Sequence, residues 1–299
     1  MSLTKLTDTV YVLQAPTNIG LIAAPDGQAV AIDSGIDDSI ARKLLKEADK
    51  EGLQVKAIIN THSHADHIGG NHFIVGRTGA GVFTSALEAP YVEQPLYEPY
   101  TLTGGAYPWK ELQNKFLLAR ASKVTEMLQP GEFSIHGLDL NIISLPGHSL
   151  GQIGVQADGV LFCGDSFISS NLLQKHGIPY NVNIHDYLET LDKLSKTNCN
   201  WYVPAHGTPS SNITEDLEVN RDKVLSLIQM VESLLSDPQE IDTLVSNICS
   251  ALEVKAANTG IYYLYRTAVT AYLSYLYQLG RAKTEMDNNR LFWLTNKTG

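Results

Sequence analysis

An apolar run, Val55-Lys56-Ala57-Ile58-Ile59, is followed by Asn60 and then by Thr61-His62-Ser63-His64-Ala65-Asp66-His67-Ile68-Gly69-Gly70, placing four imidazole or carboxylate side chains within six positions. The apolar run reads as a buried strand. The polar cluster therefore falls where a strand ends and the chain turns, which is where open α/β sheets place their ligands. His62 and His64 are two apart and point the same way if extended. Asp66 and His67 follow as the chain turns toward a helix. A lone histidine would read as a surface polar residue. Four imidazole and carboxylate groups behind an apolar strand read as ligands for zinc, iron or manganese.

The same design recurs along the chain. Residues 9–14, 18–23 and 28–33 are β-rich and separated by turn residues, as in an antiparallel meander that ends at Asp33-Ser34-Gly35. Residues 37–50 read as an amphipathic helix with Ala41, Leu44, Leu45 and Ala48 on its apolar face. Further strands are expected at 80–84, 124–128, 132–136 and 138–145, the last running into Pro146-Gly147-His148-Ser149. His136-Gly137 reads as a hairpin turn, so His136 is not counted as a ligand. A hairpin around Asp158-Gly159 joins 152–157 to 160–163 and delivers Gly164-Asp165. A helix over 185–196 and a strand over 200–203 lead to Pro204-Ala205-His206-Gly207. If these strand ends share one edge, His62, His64, Asp66, His67, His148, Asp165 and His206 converge. Strands alternating with helices indicate an α/β (α+β) arrangement.

Residues 90–122 differ in character, with Tyr91, Tyr97, Tyr100, Tyr107 and Trp109 among prolines and the Gly104-Gly105 pair. A helix is expected over 110–121. Two readings stay open: a lid or substrate wall presenting Tyr100, Tyr107 and Trp109, or a surface insertion packed by its own aromatics. Beyond His206 the pattern is helical over 214–235, 239–252 and 261–279, with Gly260 breaking the run. It ends in a hairpin around Asp287-Asn288-Asn289. The expected division is a catalytic domain over 1–212 and a helical module over 213–299.

The net charge of −10, without a basic run, argues against a nucleic-acid partner. Cys163, Cys199 and Cys249 are odd in number and widely spaced, which suits a reducing compartment rather than a disulfide framework. The N-terminus lacks a signal-peptide pattern and no 18-residue apolar run occurs. The expectation is a cytoplasmic protein with a small-molecule substrate, no membrane partner, and a homodimer as an option.

These motifs together resemble the metallo-β-lactamase-fold hydrolases, in the branch of glyoxalase II and related thioesterases and lactonases. His62, His64, Asp66 and His67 match the H-x-H-x-D-H signature, and Pro146-Gly147-His148-Ser149 matches P-G-H-T with serine for threonine. Gly164-Asp165 and His206-Gly207 match the remaining segments, and Asp33 the early aspartate of the I-D-x-G strand. The resemblance spans roughly residues 8–210 and implies an αββα four-layer sandwich with metals between the sheets at one edge. It implies that His62, His64 and His148 bind one metal and Asp66, His67 and His206 another, with Asp165 bridging. Asp33 would hold a ligand loop by hydrogen bonds from behind.

The implied cofactors are two divalent ions, zinc first, with iron or manganese as alternatives. The implied reaction is hydrolysis of an ester, thioester or lactone by a metal-bridging hydroxide that Asp66 orients. The bridging aspartate separates the chain from antibiotic-degrading lactamases. The tail resembles the winged-helix-like module of some superfamily members, but offers no match for the cationic residues with which glyoxalase II enzymes hold glutathione. An endoribonuclease or other nuclease of this fold is one alternative. A persulfide dioxygenase-like enzyme with one iron on His62, His148 and Asp165 is another.

Overall fold

The computed structural model describes residues 2–173 and 177–296. A seven-stranded sheet runs in chain order: β1 (Leu3–Lys5), β2 (Val10–Leu13), β3 (Ile19–Ala23), β4 (Gln28–Ile32), β5 (Gln54–Ile59), β6 (Gly81–Ser85) and β7 (Glu126–Leu128). β1 to β4 form the antiparallel meander, and β4 to β7 pair in parallel. Parallel neighbours need crossovers. The first is α1 (Asp38–Lys50), whose start is set by Asp37 accepting from the Ser39 and Ile40 amides. The next crossover carries α2 (Ala65–Ile68) and α3 (Asn71–Thr78). The third carries α4 (Ala89–Glu93) and α5 (Tyr97–Leu102).

The second sheet contains β8 (Gly131–Ile135), β9 (Leu138–Ser144), β10 (Ile153–Ala157), β11 (Val160–Gly164) and β12 (Trp201–Pro204). β8 to β11 are antiparallel, while β12 joins β11 in parallel through α6 (Ser170–Leu173) and α7 (Ile184–Leu194). The inward residues of both sheets share one core, including Val12, Val30, Ile59, Val155 and Phe162. The outer face of the first sheet packs Leu21, Ala31 and Ile58 against Leu44 and Ala48 of α1. The outer face of the second packs Leu161 and Tyr202 beneath α7 and the C-terminal helices. Two face-packed sheets, each with a helical cover, make the αββα sandwich.

The C-terminal helices are α8 (Thr214–Leu234), α9 (Ile241–Ala251) and α10 (Thr259–Gln278), followed by the β13 (Ala282–Asp287) and β14 (Arg290–Thr295) hairpin. Asn288 and Asn289 take φ of 48° and 62° at its turn, as a two-residue hairpin loop requires. Gly260 lies inside the first turn of α10 rather than ahead of it, because Asn258 caps the helix by accepting from the Ile261 amide. The expected helix over 110–121 is replaced by a single 3-10 turn, Lys110–Leu112. Asn114 is the cause: its side chain donates to the Glu111 carbonyl and accepts from the Phe116 amide, taking groups a helix would use. Among the described residues no helix is long and apolar enough to cross a membrane.

Candidate metal centre

Five strand ends open at one edge of the sandwich, that of β4 leading to Asp33. β5 delivers His62 and His64, α2 carries Asp66 and His67, β9 leads to His148, β11 to Asp165 and β12 to His206. Gly147 permits the close turn before His148: its φ is 125°, and a Cβ there would sit 2.4 Å from the Tyr187 backbone.

Three ring nitrogens converge first. His62 Nε2 and His148 Nε2 each lie 2.9 Å from His64 Nδ1. A second set forms around Asp66 Oδ2, which is 3.7 Å from His67 Nε2 and 3.4 Å from His206 Nε2. Asp165 faces both sets. Its Oδ2 is 3.3 Å from His148 Nε2 and 3.4 Å from His206 Nε2, and its Oδ1 is 3.4 Å from His67 Nε2.

The nitrogens on the far side of these rings are anchored. His148 Nδ1 donates to the Tyr180 carbonyl and His206 Nδ1 to the Pro16 carbonyl, both at 2.8 Å. Carbonyls only accept, so a proton sits on each Nδ1; in a neutral ring this leaves the Nε2 lone pair facing the cluster. His67 Nδ1 bonds Asp33 Oδ2 at 2.8 Å. Asp33 also accepts from the Thr61 amide and hydroxyl at 2.8 Å, tying the end of β4 under the histidine loop.

Electrostatics divide the rings. Burial pushes His64 and His148 down to about 4 despite nearby carboxylates and, with the other imidazoles, lowers His62 well below its ordinary value. These rings present free lone pairs at neutral pH. Asp165 pushes His206 up to about 11, against burial. Burial opposes the charged form of His67, but Asp66, Asp33 and Asp165 together raise it.

Among the described residues, His67 Nε2 and Asp165 Oδ1 are buried with no hydrogen-bond partner. Three nitrogens at van der Waals or shorter spacing, beside a carboxylate facing two donor sets, are poorly satisfied by protons alone. A metal cation satisfies such N/O donors together. Within 4.8 Å groupings the donors are His62, His64 and His148; His62, His67 and Asp165; and Asp66, His67 and His206.

Residues 13–206 match the family model described as the metallo-beta-lactamase superfamily. The chain belongs to this superfamily. The probable metallo-hydrolase YflN of Bacillus subtilis is 30% identical over 239 residues, 72% of this chain and 87% of that protein. A hydroxyacylglutathione hydrolase of Methylobacillus flagellatus is 28% identical over 181 residues, 54% of this chain and only 60% of its own length. The fold matches a metallo-beta-lactamase family protein of Thermus thermophilus with a TM-score of 0.76 at 20% identity, over 97% of this chain and 100% of that one.

In this metallo-beta-lactamase sandwich two cavities flank the donors. One of about 420 Å³ adjoins His64 and is lined by Tyr91, Glu98, Thr101, Tyr180 and Thr267, among others. The other, about 280 Å³, adjoins Asp66 and His206 and is walled mainly by Ala15, Pro16, Ile36 and Phe116. Tyr100, Tyr107 and Trp109, the expected substrate-binding aromatics, line neither. Tyr107 is 72% exposed, and Trp109 packs edge-on to Tyr263 of α10 at 5.6 Å. The insert meets the first cavity through Tyr91, Glu98, Thr101 and Leu102 instead. Leu102, Leu112 and Leu117 seat it against Tyr263 and Leu264.

Sequence reading also passed over Glu88. This carboxylate is 3% exposed. It accepts from the Ser63 amide and hydroxyl on the first ligand loop, and from the Ser149 hydroxyl and Gly151 amide on the second. Its only local signal is an acidic residue in an otherwise apolar stretch after a strand.

Proposed function

We propose that this chain is a hydrolase of esters, thioesters or lactones that works with two divalent metal ions. His62, His64 and His148 would hold one, Asp66, His67 and His206 the other, and Asp165 would touch both. The observation that carries the reading is the position of Asp165, whose two oxygens lie within 3.4 Å of imidazoles from both sets. A shared anion there offsets the repulsion between adjacent cations. When bound, the metals supply a water of lowered pKa and polarise the scissile carbonyl.

The chain's own residues do the rest. Asp66 is held by a 2.6 Å hydrogen bond from Thr17 Oγ1 and lines the second cavity. There its carboxylate can accept a hydrogen bond from the attacking water and orient it. Asp33 and Thr61 hold His67 from behind. Relatives named hydroxyacylglutathione hydrolase favour a thioester, and the complete second donor set favours two metals over a single-iron oxygenase.

Metal content and a hydrolysis screen over thioesters, lactones and phosphodiesters test this together. About two equivalents of metal per chain and turnover of carboxylic esters or thioesters are expected. One equivalent that does not rise on adding metal, or turnover confined to phosphodiesters, overturns it.

A further inference from the structure

We propose that the cavity beside His64 takes an uncharged, hydrogen-bonding part of the substrate, and that Glu98 is the specificity-determining residue, placing a carboxyl where an anionic substrate would need a cation. This deepens the hydrolase reading and rests on it for the reaction. Among the described residues the linings of both cavities that reach the metal centre contain no Lys or Arg. The first cavity instead holds two carboxyl groups. Glu88 is saturated by four donors from the ligand loops. Glu98 takes no side-chain hydrogen bond or ion pair among the described residues, so its carboxyl remains available to a ligand.

The other polar groups of that lining include the hydroxyls of Tyr91, Thr101, Tyr180 and Thr267, uncharged groups that both donate and accept. Burial, then Asp66 and Glu88, raise the Glu98 carboxyl well above the usual carboxylate range. That agrees with a site built for neutral partners. Glu98 is also held in place: Leu102, on the same short helix, is locked into the Leu112 and Leu117 cluster against α10. A carboxylate-bearing substrate entering here would give up its hydration in a partly desolvated lining that offers no Lys or Arg in exchange.

The test uses metal-loaded protein and p-nitrophenyl esters of one acyl length whose far ends are a primary amide, a carboxylate or an ammonium. The corresponding anilides, which are not turned over, serve for binding. Wild type should favour the amide end over the carboxylate by roughly tenfold to a hundredfold in kcat/KM and in anilide affinity, as expected for partly desolvating a charge without a counter-ion. Glu98→Lys should collapse or reverse that ratio in both readouts, while Glu98→Gln should retain most of it. Equal handling of amide and carboxylate ends by wild type overturns the proposal. So does a preference for ammonium, or a ratio that Glu98→Lys leaves unchanged. Anilides that discriminate as expected while no ester or thioester is turned over would support the cavity assignment and sink the hydrolase reading.

Discussion

At the scale of single residues, two carboxylates do different work. Asp165 faces imidazoles from both donor sets, so its charge serves the whole cluster. Asp165→Asn halves the negative charge that Asp66 and Asp165 contribute and places an amide NH₂ against imidazole lone pairs. Metal content by mass spectrometry should fall from about two to about one equivalent per chain after dialysis, with the far-UV circular dichroism unchanged. Two retained equivalents would contradict the shared-ligand role. Glu88 acts from outside the cluster, as a positioning residue that pins the loop of His62 and His64 to the loop of His148. Glu88→Ala leaves two amides and two hydroxyls without their acceptor, at a cost of about 2–4 kcal/mol once water from the adjoining cavity relieves some of them. Urea unfolding of the metal-loaded protein should show that loss, and Glu88→Gln a smaller one. An Ala variant as stable as wild type would mean the clamp is dispensable.

At the scale of elements, helix α1 shows how a charge can be buried at a crossover. Glu47 is 5% exposed yet lies 3.0 Å from Lys43 Nζ and 2.8 Å from Lys50 Nζ. Hydrogen bonds from Lys50 and Lys43, outweighing burial, lower its carboxyl to about 2. The folded value lies below the ordinary unfolded one of about 4.3. The stabilisation is therefore fully present above that unfolded value and is lost as pH falls toward the folded one. The stability gap between wild type and Glu47→Gln should be constant near neutrality and close between about pH 4.5 and pH 2. Denaturation across that range measures it; a gap that persists to the acid end would show that packing, not charge, holds Glu47. The insert teaches a related point. Its helical pattern over 110–121 was real in composition, but Asn114 captured the local backbone groups and left only one turn.

At the scale of the whole molecule, the C-terminal helices are part of the main packing. One core runs from Leu161, Tyr187 and Tyr202 through Leu227 and Val231 to Tyr272. Exposing even five such side chains costs about 10 kcal/mol, which matches the net stability of an ordinary domain. A chain ending at residue 212 is therefore expected to aggregate or to bind a hydrophobic dye strongly. A soluble, cooperatively folding 1–212 fragment would establish the expected two-domain division. α10 also supplies Thr267 to the first cavity, so truncation should alter substrate choice even where metal binding survives.

Much of the sandwich and the gathering of its donors was legible in the chain before any coordinates. Apolar runs mark strands by periodicity and so mark the polar residues at their ends, but those ends lie in two different sheets, and it was the motif resemblance that implied the face-to-face packing which brings them together. Contacts between elements without a shared local pattern were not legible. Glu88 meets Ser149 across 61 positions, Trp109 meets Tyr263, and Glu98 shares a cavity with Thr267. Each depends on how separate helices and loops approach, which is set by the packing of whole layers. The donor atoms were therefore written in the sequence by itself, whereas their clamp, the path of the insert and the chemistry of the cavity walls were decided only in three dimensions.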